Sequence, residues 1–182
     1  MTLYVACDGS ALRNPGPSGW GWYVDDDCWA AGGEAHSTNQ RMELSAVLNF
    51  LLSTEHLPAD TEIVMVLDST YTRDCLSVWI HNWLRNGWQN SKKQPVANRD
   101  LIEAAYNLLK VRSGTRFEWV KGHANHPLNS QADLRCTAAS AAIAAGLEVP
   151  VGPGWTRDPV APATEKATPT AMTAGVQQLP MF

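Results

Sequence analysis

Three short runs near the N-terminus have hydrophobic patterns that are typical of β-strands. Residues 4–7 are apolar or small and are followed by Asp8, residues 19–24 alternate small and large side chains, and a third run spans residues 28–36. The acidic triplet 25–27 separates the second run from the third and predicts a polar turn. We therefore expect an antiparallel meander of three strands, the first of which is buried and ends at Asp8.

Helical and extended runs follow the meander in alternation. After a helix cap at residues 37–39, apolar residues recur at helical spacing and form one stripe; they are Leu44, Val47, Leu48, Leu51 and Leu52. The continuous apolar run 63–67 predicts a strand covered on both faces, and it ends in Asp68. The next segments are helical stretches 70–77 and 78–86, a polar segment 87–97, a helix 98–111, a short strand 117–120 and a helix 130–145 that stops at Gly146. This order predicts an α/β domain with a mixed five-stranded sheet, three antiparallel plus two parallel strands, flanked by helices on both faces.

The composition changes near residue 149. Prolines recur at positions 150, 153, 159, 162 and 169, and Ala, Thr and Gly fill the intervals without any amphipathic period. We assign residues 1–148 to one folded domain and residues 149–182 to a flexible Pro/Ala/Thr-rich tail.

Composition and charge exclude several classes of protein. With 45% hydrophobic residues and eight tryptophans among 182 residues, the chain is expected to be globular, and a monomer is the default. The net charge of −4 argues against a surface that attracts nucleic acid everywhere but leaves room for a local basic patch. Four widely separated cysteines without metal-ligand spacing, the lack of any run of eighteen apolar residues and the lack of an export signal favour a cytoplasmic protein with reduced thiols and no membrane partner.

Four carboxylates are candidates for a common metal site. If the strands that end in Asp8 and Asp68 are neighbours in the sheet, these two carboxylates lie close together and their like charges repel. Glu43 and Asp133 are expected in the first turns of helices, where the helix dipole tolerates an acid. An acid at the tip of a buried strand needs a positive partner, and a metal ion or a cation of another chain would serve. Oxygen ligands suit Mg²⁺ or Mn²⁺ rather than zinc, although the spacing alone leaves open that these acids are plain caps.

Six short motifs occur in the same order as in one known family. They are residues 8–10 (DGS), 14–17 (NPGP), 39–44 (NQRMEL), 68–71 (DSTY), 79–83 (WIHNW) and 121–127 (KGHANHP). Over about residues 2–146 the chain thereby resembles type 1 ribonuclease H. The resemblance implies a metal-dependent endonuclease that hydrolyses the RNA strand of RNA/DNA hybrids, gives 5′-phosphate and 3′-hydroxyl ends, and removes primers and R-loops. It also implies that Asp8, Glu43, Asp68 and Asp133 are catalytic and bind two Mg²⁺ ions, with Mn²⁺ as the alternative, and that His123 is a loop histidine associated with the reaction.

Two groups of substrate contacts follow from the same resemblance. Contacts to the RNA strand would come from Gly9, Ser10, Asn14, Asn39 and Gln40, and a basic projection that grips the DNA strand would involve Trp79, Trp83, Lys92 and Lys93. From the residues alone, Asn14 is explained equally well as a turn former and Asn39 as a helix cap. The pair Trp79 and Trp83 is more typical of core packing. Because the projection carries few charges, we expect weak or salt-sensitive hybrid binding.

The last residues differ from the rest of the tail. Gln178, Leu179, Met181 and Phe182 resemble the short peptide with which bacterial replication proteins bind a sliding clamp, and a flexible tether would raise its effective concentration. A disordered end is the alternative.

Two other functions are open to the domain. A hybrid-binding module without catalysis is disfavoured by the full set of four carboxylates. A DNA-cutting enzyme related to integrases and resolvases is disfavoured by Asn14, the pair at residues 39–40 and the tryptophan segment.

Overall fold

Strands and helices alternate along the part of the chain that the computed structural model describes, residues 1–122 and 126–157. The strands are β1 (Leu3–Ala11), β2 (Gly16–Asp25), β3 (Cys28–Ser37), β4 (Ile63–Leu67) and β5 (Thr115–Trp119). The helices are α1 (Asn39–Ser53), α2 (Thr70–Asp74), α3 (Ile80–Asn86), α4 (Arg99–Leu109) and α5 (Pro127–Ala145), and a π-helical turn (Cys75–Trp79) joins α2 to α3. None of these helices is both long and apolar enough to cross a bilayer.

The five strands form one sheet in the order β3-β2-β1-β4-β5. Strands β1, β2 and β3 are antiparallel, whereas β4 and β5 extend β1 in parallel. The predicted mixed sheet is therefore confirmed. Because Ala6 pairs with Val66 at the last parallel position, continuing the register by two residues places Asp8 beside Asp68.

Helices cover both faces of the sheet, as expected. Helix α1 packs on β1 and β2 and is backed by α4, while α5 packs on β1, β2 and β3 from the other side. Since side chains of a strand alternate between faces, Val5 and Cys7 join the larger core under α1, and Ala6 packs with Ala132 of α5. Asp8 therefore projects towards α5. All four cysteines are buried and free, which confirms the prediction of buried free thiols.

Several predicted boundaries are wrong. Strand β1 continues past Asp8, because β2 goes on pairing with it as far as Ala11. Glu43 is the fifth residue of α1, since Thr38 is the N-cap and accepts from the backbone N–H of Arg41. Asp133 is the seventh residue of α5, which starts at Pro127, a residue whose fixed φ suits a first helical position. Neither acid lies in a first turn, so the helix dipole does not explain its position.

Residues 151–157, which were predicted to belong to the flexible tail, lie along the edge strand β3; we call them the C-terminal strap. The N–H of Ala31 donates to the carbonyl of Val151 at 3.0 Å, and the N–H of Gly154 donates to the carbonyl of Trp29 at 2.9 Å. Trp155 packs edge-on against the buried Phe50, with ring centroids 6.2 Å apart. The prediction of flexibility is wrong for the strap, because proline does not prevent pairing at a sheet edge. Residues 158–182 lie outside the described part of the chain, so the domain boundary at 148 and the tail beyond the strap stay predictions.

A buried arginine links the start of β5 to the end of α1. The guanidinium of Arg112 donates to Thr54 Oγ1 at 2.9 Å and to the carbonyl of Leu51 at 2.8 Å. Burial lowers the pKa of Arg112 from its usual value. These two acceptors replace the water that the buried cation loses.

Candidate active site

The carboxylates of Asp8 and Asp133 meet between β1 and α5. The Asp8 side chain is only 5% exposed, and its Oδ1 accepts from the backbone N–H of Gly9 at 2.7 Å. One oxygen of Asp8, one oxygen of the exposed Asp133 and the sulfur of the buried Cys136 all lie within 4.8 Å of one another. Two predicted ligands are thus brought together, and a thiol that was not predicted lies beside them.

Asp68 is fixed in place by two residues that lie outside the six motifs and were not predicted to belong to the site. Asn129 Nδ2 donates to Asp68 Oδ2 at 3.3 Å, and Trp119 Nε1 donates to the Asp68 carbonyl at 3.1 Å. Asn129 precedes Asp133 by four residues on α5, a spacing that places both side chains on one face of the helix. That spacing is the sequence signal by which Asn129 could have been found.

Glu43 reaches the same region from α1. Its Oε2 accepts from Ser69 Oγ at 2.5 Å and from Thr72 Oγ1 at 3.3 Å, and its Oε1 accepts from Asn39 Nδ2 at 3.2 Å. Ser69 follows Asp68 directly, so the hydrogen bond connects α1 to the end of β4. These three donors orient the carboxylate without neutralising its charge.

The electrostatics of the site show an excess of negative charge. Burial, followed by repulsion from Asp68, raises the pKa of Asp8 to about 8, and the charges of Asp133 and Glu43 act in the same direction. The pKa of Glu43 is also raised, first by burial and then by Asp68, although its hydroxyl and amide donors oppose the shift. None of the ion pairs within residues 1–122 and 126–157 involves these acids.

A hard divalent cation fits this arrangement. Converging carboxylate oxygens are the ligands that Mg²⁺ and Mn²⁺ prefer, and such a cation would relieve the repulsion that raises the pKa of Asp8. The Oδ1 of Asn129 is a further buried oxygen at the site, and it has no hydrogen-bond partner among the described residues. Cys136 differs from these ligands, because burial and the nearby carboxylates of Asp8 and Asp133 raise the pKa of its thiol and favour the neutral form.

Comparison with known proteins identifies the family. The RNase H family matches residues 1–141. A ribonuclease H of Tropheryma whipplei (strain Twist) is 40% identical over 155 residues, which cover 85% of this chain and 94% of that protein. The chain belongs to the RNase H family. The predicted family and the predicted enzyme class, a ribonuclease H, are both confirmed.

Solved structures share the RNase H fold. LC9-RNase H1, a type 1 RNase H with the type 2 active-site motif, superposes with a TM-score of 0.67 at 24% identity, covering 87% of this chain and 79% of that one. The foamy viral protease-reverse transcriptase, solved in complex with an RNA/DNA hybrid, gives a TM-score of 0.65 at 20% identity, covering 75% of this chain and 20% of that one. At these identities the likeness concerns the fold alone.

The predicted RNA-strand contacts lie around β1 and the start of α1. Gly9 has no room for a side chain, because a Cβ there would lie 2.4 Å from the backbone nitrogen of Glu43. The hydroxyl of Ser10 lies 3.3 Å from that of Ser140, and Asn14 Oδ1 accepts from the N–H of Asn39 at 3.2 Å. Gln40 is exposed on α1. Asn39 is the first residue of α1 rather than its cap, so the interpretation as a helix cap is wrong.

The predicted DNA-strand contacts form an aromatic row with a loop at its end. Trp79, which is 41% exposed, packs at 5.9 Å on Trp83, and Trp83 stacks at 6.2 Å on Trp88, distances being between ring centroids. Lys92 and Lys93 are exposed in a tight turn closed by an isolated bridge between Gln89 and Pro95. The roles of all these residues in substrate binding stay predictions.

Two further predictions fall outside the described residues. His123 lies in the undescribed segment 123–125, and the clamp-binding motif of Gln178, Leu179, Met181 and Phe182 lies beyond residue 157.

Proposed function

We propose that the chain is a metal-dependent endonuclease that hydrolyses the RNA strand of RNA/DNA hybrids and leaves 5′-phosphate and 3′-hydroxyl ends. The observation that carries the proposal is the group of four mutually repelling carboxylates, Asp8, Glu43, Asp68 and Asp133, in a chain of the RNase H family. The hybrid bound to the structurally similar foamy viral protein supports the choice of substrate.

The four carboxylates would bind two Mg²⁺ ions, with Mn²⁺ as the alternative. When bound, such a pair supplies a clamp for the attacking and leaving oxygens of an in-line phosphodiester displacement. Asp8 and Asp133 would hold ions between β1 and α5. Asn129 keeps the Asp68 carboxylate oriented, and Ser69 does the same for Glu43. The geometry of the ligands would then be set before the substrate arrives, which limits the reorganisation needed during the reaction.

Selection of the hybrid would rest on the two groups of predicted contacts. An RNA strand is distinguished from DNA by its 2′-hydroxyl, which donates and accepts hydrogen bonds. Asn39 supports this role, because its amide donates to the Glu43 carboxylate and would therefore lie close to a phosphate bound at the four carboxylates. Gly9, Ser10, Asn14 and Gln40 would complete the RNA side. On the DNA side the aromatic row headed by Trp79 and Trp83 would pack against the strand while Lys92 and Lys93 contact phosphates.

The proposed cellular role is the removal of primers and R-loops by a monomeric cytoplasmic enzyme. Four buried free thiols accord with a reducing compartment. His123 would assist proton transfer or product release, as a histidine near neutral pH is suited to do. The C-terminal motif would recruit the enzyme to a sliding clamp.

Substitution of Asp68 tests the assignment. Asp68→Asn keeps the shape of the side chain and its contact with Asn129 but removes a charge, so cleavage of a labelled hybrid should fall to the level seen with chelator. The fold, followed by circular dichroism, and hybrid binding in chelator should persist. The matched control is Glu118→Gln, which removes an exposed carboxylate from β5 and should cleave normally. Normal cleavage by Asp68→Asn would overturn the site assignment.

A further inference from the structure

A cleft of about 460 Å³ opens beside the edge strand β5, and none of the four carboxylates lines it. It lies between the α2–α3 segment, the end of α4 and β5, and we call it the β5 cleft. Its lining residues are Arg73, Leu76, Ser77, His81, Tyr106, Leu109, Lys110, Thr115, Arg116 and Phe117. None of them belongs to the predicted catalytic or substrate-binding groups.

The charge of the β5 cleft is opposite to that of the whole chain. The chain has a net charge of −4, yet the lining includes Arg73, Lys110 and Arg116 and contains no acid. Arg73 is paired with Asp74 at 2.8 Å, while Lys110 and Arg116 form no ion pair within the described part of the chain. Two unneutralised cations on an acidic protein favour an anionic ligand.

The floor of the β5 cleft is apolar. Leu76 is buried, and Tyr106, Leu109 and Phe117 are partly buried and pack against the main core. A ligand that carried charge alone would leave this apolar surface in contact with water. The ligand should therefore combine negative charge with apolar side chains.

The backbone of β5 narrows the class of ligand further. Strand β5 is the last strand of the sheet, and on its free side no strand of the described residues pairs with it. An unpaired edge presents N–H and C=O groups that an extended peptide can pair with. Phe117 and Arg116 point to opposite faces of β5, since side chains alternate along a strand. A peptide strand with apolar residues towards Phe117 and an acidic residue opposite Arg116 would match both faces, and the exposed Glu118 lies on the Arg116 face as well.

We propose that the β5 cleft binds an extended peptide of a partner protein, in which acidic and apolar residues alternate, as an additional strand beside β5. The apolar side chains occupy the floor formed by Leu109 and Phe117, and the acidic ones face Arg116. Lys110 contributes at the rim. The proposal is independent of the hydrolytic function, since the carboxylate site is not involved.

The test uses the full chain and a fluorescein-labelled peptide, Asp-Leu-Asp-Phe-Asp-Leu-Asp, with blocked ends. Fluorescence anisotropy should show saturable binding, and Lys110→Glu and Arg116→Glu should each weaken it about tenfold. The control Arg13→Glu changes an exposed arginine outside the β5 cleft and should leave binding unchanged. Both cleft variants should still cleave hybrids at the normal rate, which separates this site from the hydrolytic one.

A second measurement examines the mode of binding. Hydrogen–deuterium exchange should show new protection of the amides of Thr115–Trp119 when the peptide is present, because strand pairing shields the edge. The same peptide with Lys in place of Asp should not bind. The proposal is overturned if the acidic peptide fails to bind, if it binds equally to the Arg116→Glu variant, or if β5 gains no protection. It is also overturned if an oligothymidine of eight nucleotides binds in an Arg116-dependent way and the peptide does not.

Discussion

Replacing Gly9 by alanine tests how closely β1 and α1 are packed at the site. A Cβ on Gly9 would lie 2.4 Å from the backbone nitrogen of Glu43, 2.7 Å from the carbonyl carbon of Met42 and 2.8 Å from the Met42 Cβ. Two of these atoms belong to the backbone of α1, so no rotation of a side chain relieves the overlap. Met42 is fully buried. The substitution must therefore push α1 away from β1.

The effect should appear in both stability and rate. Overpacking a well-packed interface lowers the free energy of unfolding by about 1–3 kcal/mol, and a contact this short on backbone atoms places Gly9→Ala in the upper part of that range. Glu43 would move with the helix, and a displacement of about 1 Å in a catalytic group lowers the rate about a hundredfold. We expect the free energy of unfolding to fall by about 2–3 kcal/mol and kcat to fall about ten- to a hundredfold.

Urea unfolding and single-turnover cleavage of a labelled hybrid measure these two quantities. Gly122→Ala is the matched control for stability alone, because its Cβ would lie 3.4 Å from its nearest neighbour, Asp68 Oδ2, which is ordinary contact but involves a proposed metal ligand. The control should change the free energy of unfolding by less than about 0.5 kcal/mol. If Gly9→Ala is as stable as the control and cleaves at the wild-type rate, the close approach of β1 and α1 does not set the position of Glu43.

Three further predictions concern the protonation of Asp8, the C-terminal strap and the buried Arg112. Because the pKa of Asp8 rises from 3.8 to about 8 on folding, the folded chain binds more protons than the unfolded one between these values. In chelator, stability should therefore fall as the pH rises from about 4 to 8, by at most about 1.4 kcal/mol per pH unit, and Asp8→Asn should flatten the profile measured by urea unfolding. A profile that Asp8→Asn leaves unchanged would contradict this. Trp155→Ala should lower the free energy of unfolding by about 2–3 kcal/mol, because it removes the packing of the strap on the buried Phe50. Equal thermal stability of the Trp155→Ala variant and the wild type would show that the strap adds nothing. Arg112→Met should lower stability by about 2 kcal/mol, because the buried acceptors on Leu51 and Thr54 lose their donors; an unchanged melting temperature would refute that account.

The sheet was predictable because its signals are local. Short apolar or alternating runs separated by polar turns mark the meander, and the continuous apolar run Ile63–Leu67 reflects burial on both faces, so the existence of these strands could be inferred from local sequence. The pairing of β1 with β4, which places Asp8 beside Asp68, could only be assumed, because an alternation of strands and helices along the chain does not fix the order of the strands in the sheet. The ends of the strands and helices were harder to predict. The extension of β1 beyond Asp8 depends on its partner strand β2, and the starts of α1 and α5 depend on the caps Thr38 and His126.

The rest of the site depends on contacts between residues far apart in the chain. Trp119 and Asn129 reach Asp68 over 51 and 61 positions, so no sequence window contains both partners. The sequence does not distinguish Cys136 from the other three buried cysteines, because its position beside Asp8 depends on the packing of α5 against β1. The prediction for the strap was wrong because its local composition is typical of a flexible segment. Its order comes from a distant contact, the packing of Trp155 on Phe50.

The most direct test of the central claim is the cleavage of one labelled sequence presented as RNA/DNA hybrid, RNA/RNA and DNA/DNA, each with Mg²⁺, with Mn²⁺ and with chelator. Cutting of the RNA strand in the hybrid alone, only with a divalent metal and with 5′-phosphate ends, is the predicted result. Binding of the hybrid without any cutting would indicate a binding module. Metal-dependent cutting of DNA would indicate a resolvase-like enzyme, and either result would contradict the proposed function.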